Sequence, residues 1–234
     1  MNNIWLIAIG TAALALLGAL LLLPGGEAGE DAVSFSAEAV VEAETTESGA
    51  VGEANTDGAT AIGTDTDTAE GGPAAIDGVI TEGEYAHSVD AGGFQVHWRN
   101  DSETLWIAMV SPGTGYAAIG IDPDSRMQGA NMIMTAVVDG ETVWRDDYGT
   151  GALSHTDDVG RGGTDDVIAA AGREHNGYTI VEFAIPLDSG DPYDKPLEPG
   201  GTYTILVAYN TGNDRFNVKH TRRGSGEMHL DPAP

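Results

Sequence analysis

The sequence predicts an all-β protein, an antiparallel β-sandwich preceded by one N-terminal transmembrane helix and a disordered acidic linker. Three observations carry the sandwich. From Phe94 onward, short apolar or alternating runs of strand length recur, each bounded by Gly, Pro, Asn or Asp. No helical stripe of useful length interrupts them. The 33 glycines suit a chain with many tight turns.

The elements follow in order. Residues 1–26 form the anchor. Ile4 to Leu23 is a run of about 20 residues without a charge, long enough to cross a hydrocarbon core. A cleaved signal peptide is the alternative, but Asn2 and Asn3 stand where such a segment carries basic residues, and Pro24-Gly25-Gly26-Glu27 is a poor cleavage site. Either reading places the rest of the chain outside the cytoplasm, at a cell surface or in a periplasm, because no Lys or Arg precedes Arg99 to hold it inside. Residues 27–75 form the linker. Its acids have no base among them, and it has too few apolar residues to offset its ordering entropy.

Residues 76–234 form the folded domain. Phe94 to Trp98 alternates, Leu105 to Val110 is a buried apolar run, and Tyr116 to Ile121 follows a Pro-Gly turn. Asn131 to Val138 ends at Asp139-Gly140, a hairpin signal from which Thr142 to Trp144 pairs back. Val167 to Ala171, Tyr178 to Ile185 and Thr202 to Tyr209 are further strands, and Asn217 to Leu230 contains the last. Short strands of this number argue for a sandwich.

Charge excludes some functions. With 37 acids against 10 Lys+Arg, the formal net charge is −27. Such a chain repels nucleic acid and anionic lipid. Abundant acid with scarce lysine also fits a halophilic protein, in which salt screens self-repulsion. The absence of cysteine excludes disulfides, thiolate metal sites, lipid attachment and covalent haem.

Against this background the bases cluster. Arg215, Lys219, Arg222 and Arg223 lie close together around His220. The cluster suggests an anionic ligand, or pairing with the chain's own acids. On a regular strand, His220 and Arg222 would share one face, with Lys219 and Arg223 on the other. Met127, in Arg126-Met127-Gln128-Gly129, is placed in a turn and not in a core, unlike Met132 and Met134. A thioether and an imidazole on opposite sides of an iron would make a Met/His b-type haem site, suited to electron transfer.

Several segments together resemble the DOMON family. They are Asp77-Gly78-Val79-Ile80 through Tyr85, Gly115 to Gly120, Met127 to Ile133, Tyr178 to Phe183, Pro186 to Asp194, and His220-Thr221-Arg222-Arg223-Gly224. The resemblance implies an immunoglobulin-like β-sandwich. Haem-binding members of the family hold non-covalent haem b between a Met and a His, which fall here on Met127 and His220. Arg222 or Arg223 would then lie near the propionates, and a redox protein or membrane cytochrome would be the partner. Other members are thought to bind sugars, so a glycan-binding or surface-recognition module, using Trp144 and Tyr148, is the alternative.

Other residues are weighed beside these. His155 is read first as a solvated residue of an Asp-rich loop, with lining the site or binding a metal beside Asp157 or Asp158 as the alternative; His97 is read as structural, His87 and His175 as surface turn residues, and His229 as a fallback haem ligand. Asp165-Asp166 after Gly162-Gly163-Thr164 is a candidate Ca²⁺ contributor. No nucleophile–base constellation or phosphate loop is present, so the chain is read as a binding or electron-transfer domain and not as an enzyme.

Overall fold

The computed structural model describes residues 72–233; the apolar run 4–23 and residues 27–71 of the linker lie outside them. Among the described residues, no helix is long and apolar enough to cross a membrane. The strands are β1 (His87–Asp90), β2 (Gln95–Asn100), β3 (Thr104–Pro112), β4 (Ala117–Ile121), β5 (Asn131–Val138), β6 (Glu141–Gly151), β7 (Ser154–Asp157), β8 (Ala169–His175), β9 (Tyr178–Pro186), β10 (Thr202–Tyr209) and β11 (Arg222–His229). They form two antiparallel sheets, a five-stranded one in the order β1-β2-β3-β9-β8 and a six-stranded one in the order β11-β10-β4-β5-β6-β7.

The core lies between the sheets. Phe94, Val96, Leu105, Ile107 and Met109 of the first sheet and its approach meet Ile119, Ile121, Ile133, Ile205 and Met228 of the second. Burying each such side chain stabilises the fold by about 1.5–3 kcal/mol. In β3 the residues between these are buried as well. Trp106 packs with Ala74, Ile76, Tyr85 and Ala184, so residues 74–85 cover part of the outer face of the five-stranded sheet.

Glu182 fastens that cover. Its carboxylate, fully buried, accepts hydrogen bonds from the N–H of Asp77 (3.2 Å), Gly78 (2.7 Å) and Val79 (3.1 Å) and from the Tyr85 hydroxyl (2.9 Å). Burial pushes its carboxyl up, the Tyr85 and backbone hydrogen bonds pull it down, and the net effect is upward. Gly78 permits the close approach: its φ is +83°, and a Cβ there would press on the Gly172 backbone at 3.2 Å.

Several predicted features differ: the strand expected over Val167 to Ala171 is Ala169–His175, so His175 ends a strand and pairs with Tyr178. His87 lies on strand β1, stacks on Trp98 (centroids 5.4 Å apart) and pairs through Nε2 with Asp231 (2.9 Å), so it is not a turn residue. His155 lies on strand β7 and not in a loop. β6 runs well beyond Trp144, because β5 and β7 pair with it on either side. The last strand starts at Arg222; before it the chain turns, with Val218 N–H donating to Arg215 C=O (3.0 Å).

Replacing Glu182 by Ala strands buried backbone N–H groups. It is expected to cost about 3 kcal/mol, since hydrogen bonds to a charged group are worth about 1.5–3 kcal/mol each. Urea unfolding measures the loss, and amide exchange is expected to rise over residues 77–85.

Candidate functional site

The outer face of the six-stranded sheet carries a cavity of about 530 Å³. Its floor follows from register. Ser225, Leu206, Gly120 and Met132 lie side by side across β11, β10, β4 and β5, and Arg223, Ala208, Ala118 and Met134 form the adjacent row. The central positions, Gly120, Ala118 and Ala208, have almost no side chain, so the floor is shallow and apolar. Two loops wall it from opposite corners. One brings Met127, the other His220, and both side chains line the cavity.

Residues 122–130, joining β4 to β5, position Met127. Asp124 N–H donates to Gln128 C=O (2.8 Å), and Ala130 N–H to Met127 C=O (3.2 Å). The loop lies against β6 through paired bonds, Gly129 N–H to Gly149 C=O (2.8 Å) and Gly149 N–H to Ala130 C=O (2.9 Å). Only glycine permits this, because a Cβ at position 149 would overlap the Met127 carbonyl oxygen. Lys195 pins the other side, donating to Asp122 C=O (2.6 Å) and Asp124 Oδ1 (2.8 Å).

Residues 210–221, joining β10 to β11, position His220. Phe216 packs edge-on against Tyr116 (centroids 6.2 Å) and joins the small cluster of Tyr116, Ala118, Met134 and Ala136. Neighbours on both sides of His220 are fastened: Val218 C=O accepts from the Tyr116 hydroxyl (2.9 Å), Lys219 C=O from Asn210 Nδ2 (3.0 Å), and Thr221 N–H donates to Tyr209 C=O (2.7 Å). Partial burial, followed by the charges of Arg223 and Lys219, holds the His220 imidazolium below its ordinary pKa. The shift favours the neutral ring, whose lone pair can bind a metal.

The strand alternation expected around His220 does not hold. His220 precedes the strand, so it shares the cavity with Arg223, whereas Arg222 is not among the lining residues. A second arginine that sequence reasoning did not single out, Arg126, also lines the cavity.

His155 lines it too. Its Nδ1 pairs with the buried Asp147, which also accepts a hydrogen bond from Arg145 Nη2 (2.6 Å). Burial alone would raise the Asp147 carboxyl, but its bonds to His155 and Arg145 win and hold it below the usual range. This carboxylate–imidazole pair is the kind that fixes which ring nitrogen is free to act. Asp147 was not singled out in the sequence, where it is one acid among 37 Asp+Glu. Leu153, 72 % exposed, stands on the same rim.

The remaining candidates lie elsewhere. The His229 ring accepts or donates to Thr202 Oγ1 (2.9 Å) and is not among the lining residues. His97 is half-buried in the five-stranded sheet, and its burial lowers its pKa. Trp144, 38 % exposed, donates its indole N–H to Asp165 (3.0 Å), and Tyr148 packs on Tyr193 (centroids 5.5 Å); neither is among the residues that line the cavity.

Fold and site together define a β-sandwich domain with a ligand pocket on the outside of one sheet. The DOMON domain model matches residues 90–210, and the chain belongs to that family. The matched stretch contains Met127; His220 lies beyond it. Among solved structures, the chain is similar to the cytochrome domain of Myriococcum thermophilum cellobiose dehydrogenase, with a TM-score of 0.44 at 10% identity, covering 62% of this chain and 81% of that one. It is also similar to the cytochrome b domain of pyranose dehydrogenase from Coprinopsis cinerea (TM-score 0.42, 10% identity, 59% and 77% covered). A family 9 carbohydrate-binding module from Caldicellulosiruptor kristjanssonii in complex with glucose gives a TM-score of 0.40 at 12% identity, with 70% and 94% covered. No curated protein matches the sequence.

Gly149→Ala is expected to push the 122–130 loop off β6 and to cost about 1–3 kcal/mol, as overpacking does. Thermal melting measures the cost, and the Met127 methyl resonance is expected to shift while that of Met228, in the core, stays in place.

Proposed function

We propose that this chain is a b-type haem-binding domain that transfers electrons, with Met127 and His220 as axial ligands. The observation that carries the reading is that these two side chains, from loops far apart in sequence, line one cavity from opposite corners. Its volume, about 530 Å³, falls within the range of about 300–1,000 Å³ usual for small-molecule sites.

The residues fit the group. The Ala118, Gly120 and Ala208 positions of the floor leave room for a flat macrocycle, and Met132, Met134 and Leu206 beside them keep that floor apolar. Arg126 and Arg223 would face the propionates as charge-assisted donors. Burial and the neighbouring charges favour the neutral form of His220, the form a ligand nitrogen needs. Haem bound there supplies a one-electron couple, whose potential Met/His ligation raises. Held by both Met127 and His220, the iron would have no position left for a substrate, which favours a carrier over an enzyme. His155, oriented by Asp147, would act as a positioning residue at the rim.

By extension, the apolar run 4–23 would anchor the domain to a membrane on its extracytoplasmic side. The acidic linker would give it reach to a redox protein or membrane cytochrome.

The test is an absorption spectrum of the full chain with added haem. A sharp Soret band is expected, displaced in Met127→Ala and in His220→Ala, abolished in the double variant, and retained in His155→Ala. No band in the native chain, together with binding on a glycan array, would replace this reading with carbohydrate recognition.

A further inference from the structure

Asp146 and Asp147 are neighbours on β6 and point to opposite faces. Asp147 is satisfied by His155 and Arg145. Asp146 is not. It is 2 % exposed, its Oδ2 accepts only the Asp166 N–H (3.0 Å), and its Oδ1 has no partner. Oxygen atoms of Asp146, Asp166 and Asp194 lie within 4.8 Å of one another. Asp158, fully buried before the turn Val159–Arg161, has no partner for either carboxylate oxygen, and Asp194 Oδ1 has none.

The same loops show what satisfaction looks like. Asp191, 7 % exposed, accepts from Tyr193 N–H (2.7 Å), Thr164 N–H and the Thr164 hydroxyl (2.9 Å). Burial alone would raise its carboxyl, but those bonds hold it low. By contrast, burial chiefly, with mutual repulsion added, pushes Asp146 up to about 8, Asp158 to about 7 and Asp194 to about 6. A buried carboxylate without a donor or counter-charge is strongly unfavourable. No base supplies one: the ion pairs among the described residues include none of Asp146, Asp158, Asp166 and Asp194, and the nearby Lys195 is engaged by Asp122 and Asp124.

We infer that Asp146, Asp158, Asp166 and Asp194 form a Ca²⁺ site where β6 meets the loops after β7 and β9. The donors are all hard oxygens, and they come from loops as well as a strand. Ca²⁺ takes about 6–8 oxygens in adaptable geometry, whereas Mg²⁺ demands a near-regular octahedron and keeps its waters. The sequence expectation for Asp165-Asp166 is thereby divided: Asp166 joins the site, whereas Asp165 holds Trp144. The site is independent of the haem reading and lies on the opposite face of β6 from the cavity.

The experiment uses the full chain after chelator treatment, titrated calorimetrically with CaCl₂ and separately with MgCl₂, with melting followed in parallel. One Ca²⁺ site is expected above any diffuse binding by other acids, at least tenfold tighter than for Mg²⁺, with a rise in Tm. Asp158→Asn is expected to lose that site and its Tm response, yet to melt higher than the native chain in chelator, because a repelling charge is gone. Asp166→Asn, at a half-exposed position, tests the same loss should Asp158→Asn fail to fold. Equal Mg²⁺ affinity, or Ca²⁺ responses in the variants equal to the native one, would overturn the site.

Discussion

A cavity exists on the outside of the six-stranded sheet because neighbouring positions there carry almost no side chain. Gly120, Ala118 and Ala208 lie beside one another in β4 and β10, in register. Leu or Ile at these positions would fill the floor. The loops that wall the cavity obey similar steric limits. Gly149 lets the Met127 loop lie on β6, and Gly115 lets residues 210–213 cross the end of β4, where a Cβ would overlap the Asn210 carbonyl. Loops that carry a thioether and an imidazole thus reach one cavity because backbone approaches backbone, and glycines permit it.

Much of this was legible in the sequence, and the reasons differ by element. β2, β3, β5, β9 and β10 show themselves through apolar runs or alternation, because their burial is dense. Met127 stood out as a methionine in a turn, and His220 as an imidazole among scarce bases. β1 and β7 did not show. His87–Asp90 and Ser154–Asp157 are edge strands with polar, part-exposed side chains, so pairing and not hydrophobic pattern makes them strands. The strand that carries His155 was hidden, although a place for it at the site was among the alternatives. The choice between Arg222 and Arg223 depended on where β11 begins, a boundary set by the Arg215–Val218 turn and not by local composition.

The buried acids illustrate a further limit. In a chain with 37 Asp+Glu, an individual aspartate carries little information. Their roles separate only when hydrogen-bond partners are counted. Asp147 orients a histidine, Asp191 and Glu182 gather backbone N–H groups, and Asp146 and Asp158 retain oxygens without partners. One strand, β6, divides these environments. Its Asp147 face supports the pocket rim, and its Asp146 face gathers carboxylates around the loops that follow β7 and β9. A cation there would stiffen β6 and β7, and with them His155.

The central claim is that Met127 and His220 meet at one metal. The proton NMR spectrum of the reduced, haem-loaded domain tests it most directly, because a methionine methyl bound to low-spin haem iron is shifted far upfield by the ring current. The account expects one such methyl resonance, absent in Met127→Leu and kept in Met132→Leu. Its absence from the native spectrum, or its persistence in Met127→Leu, would contradict the assignment.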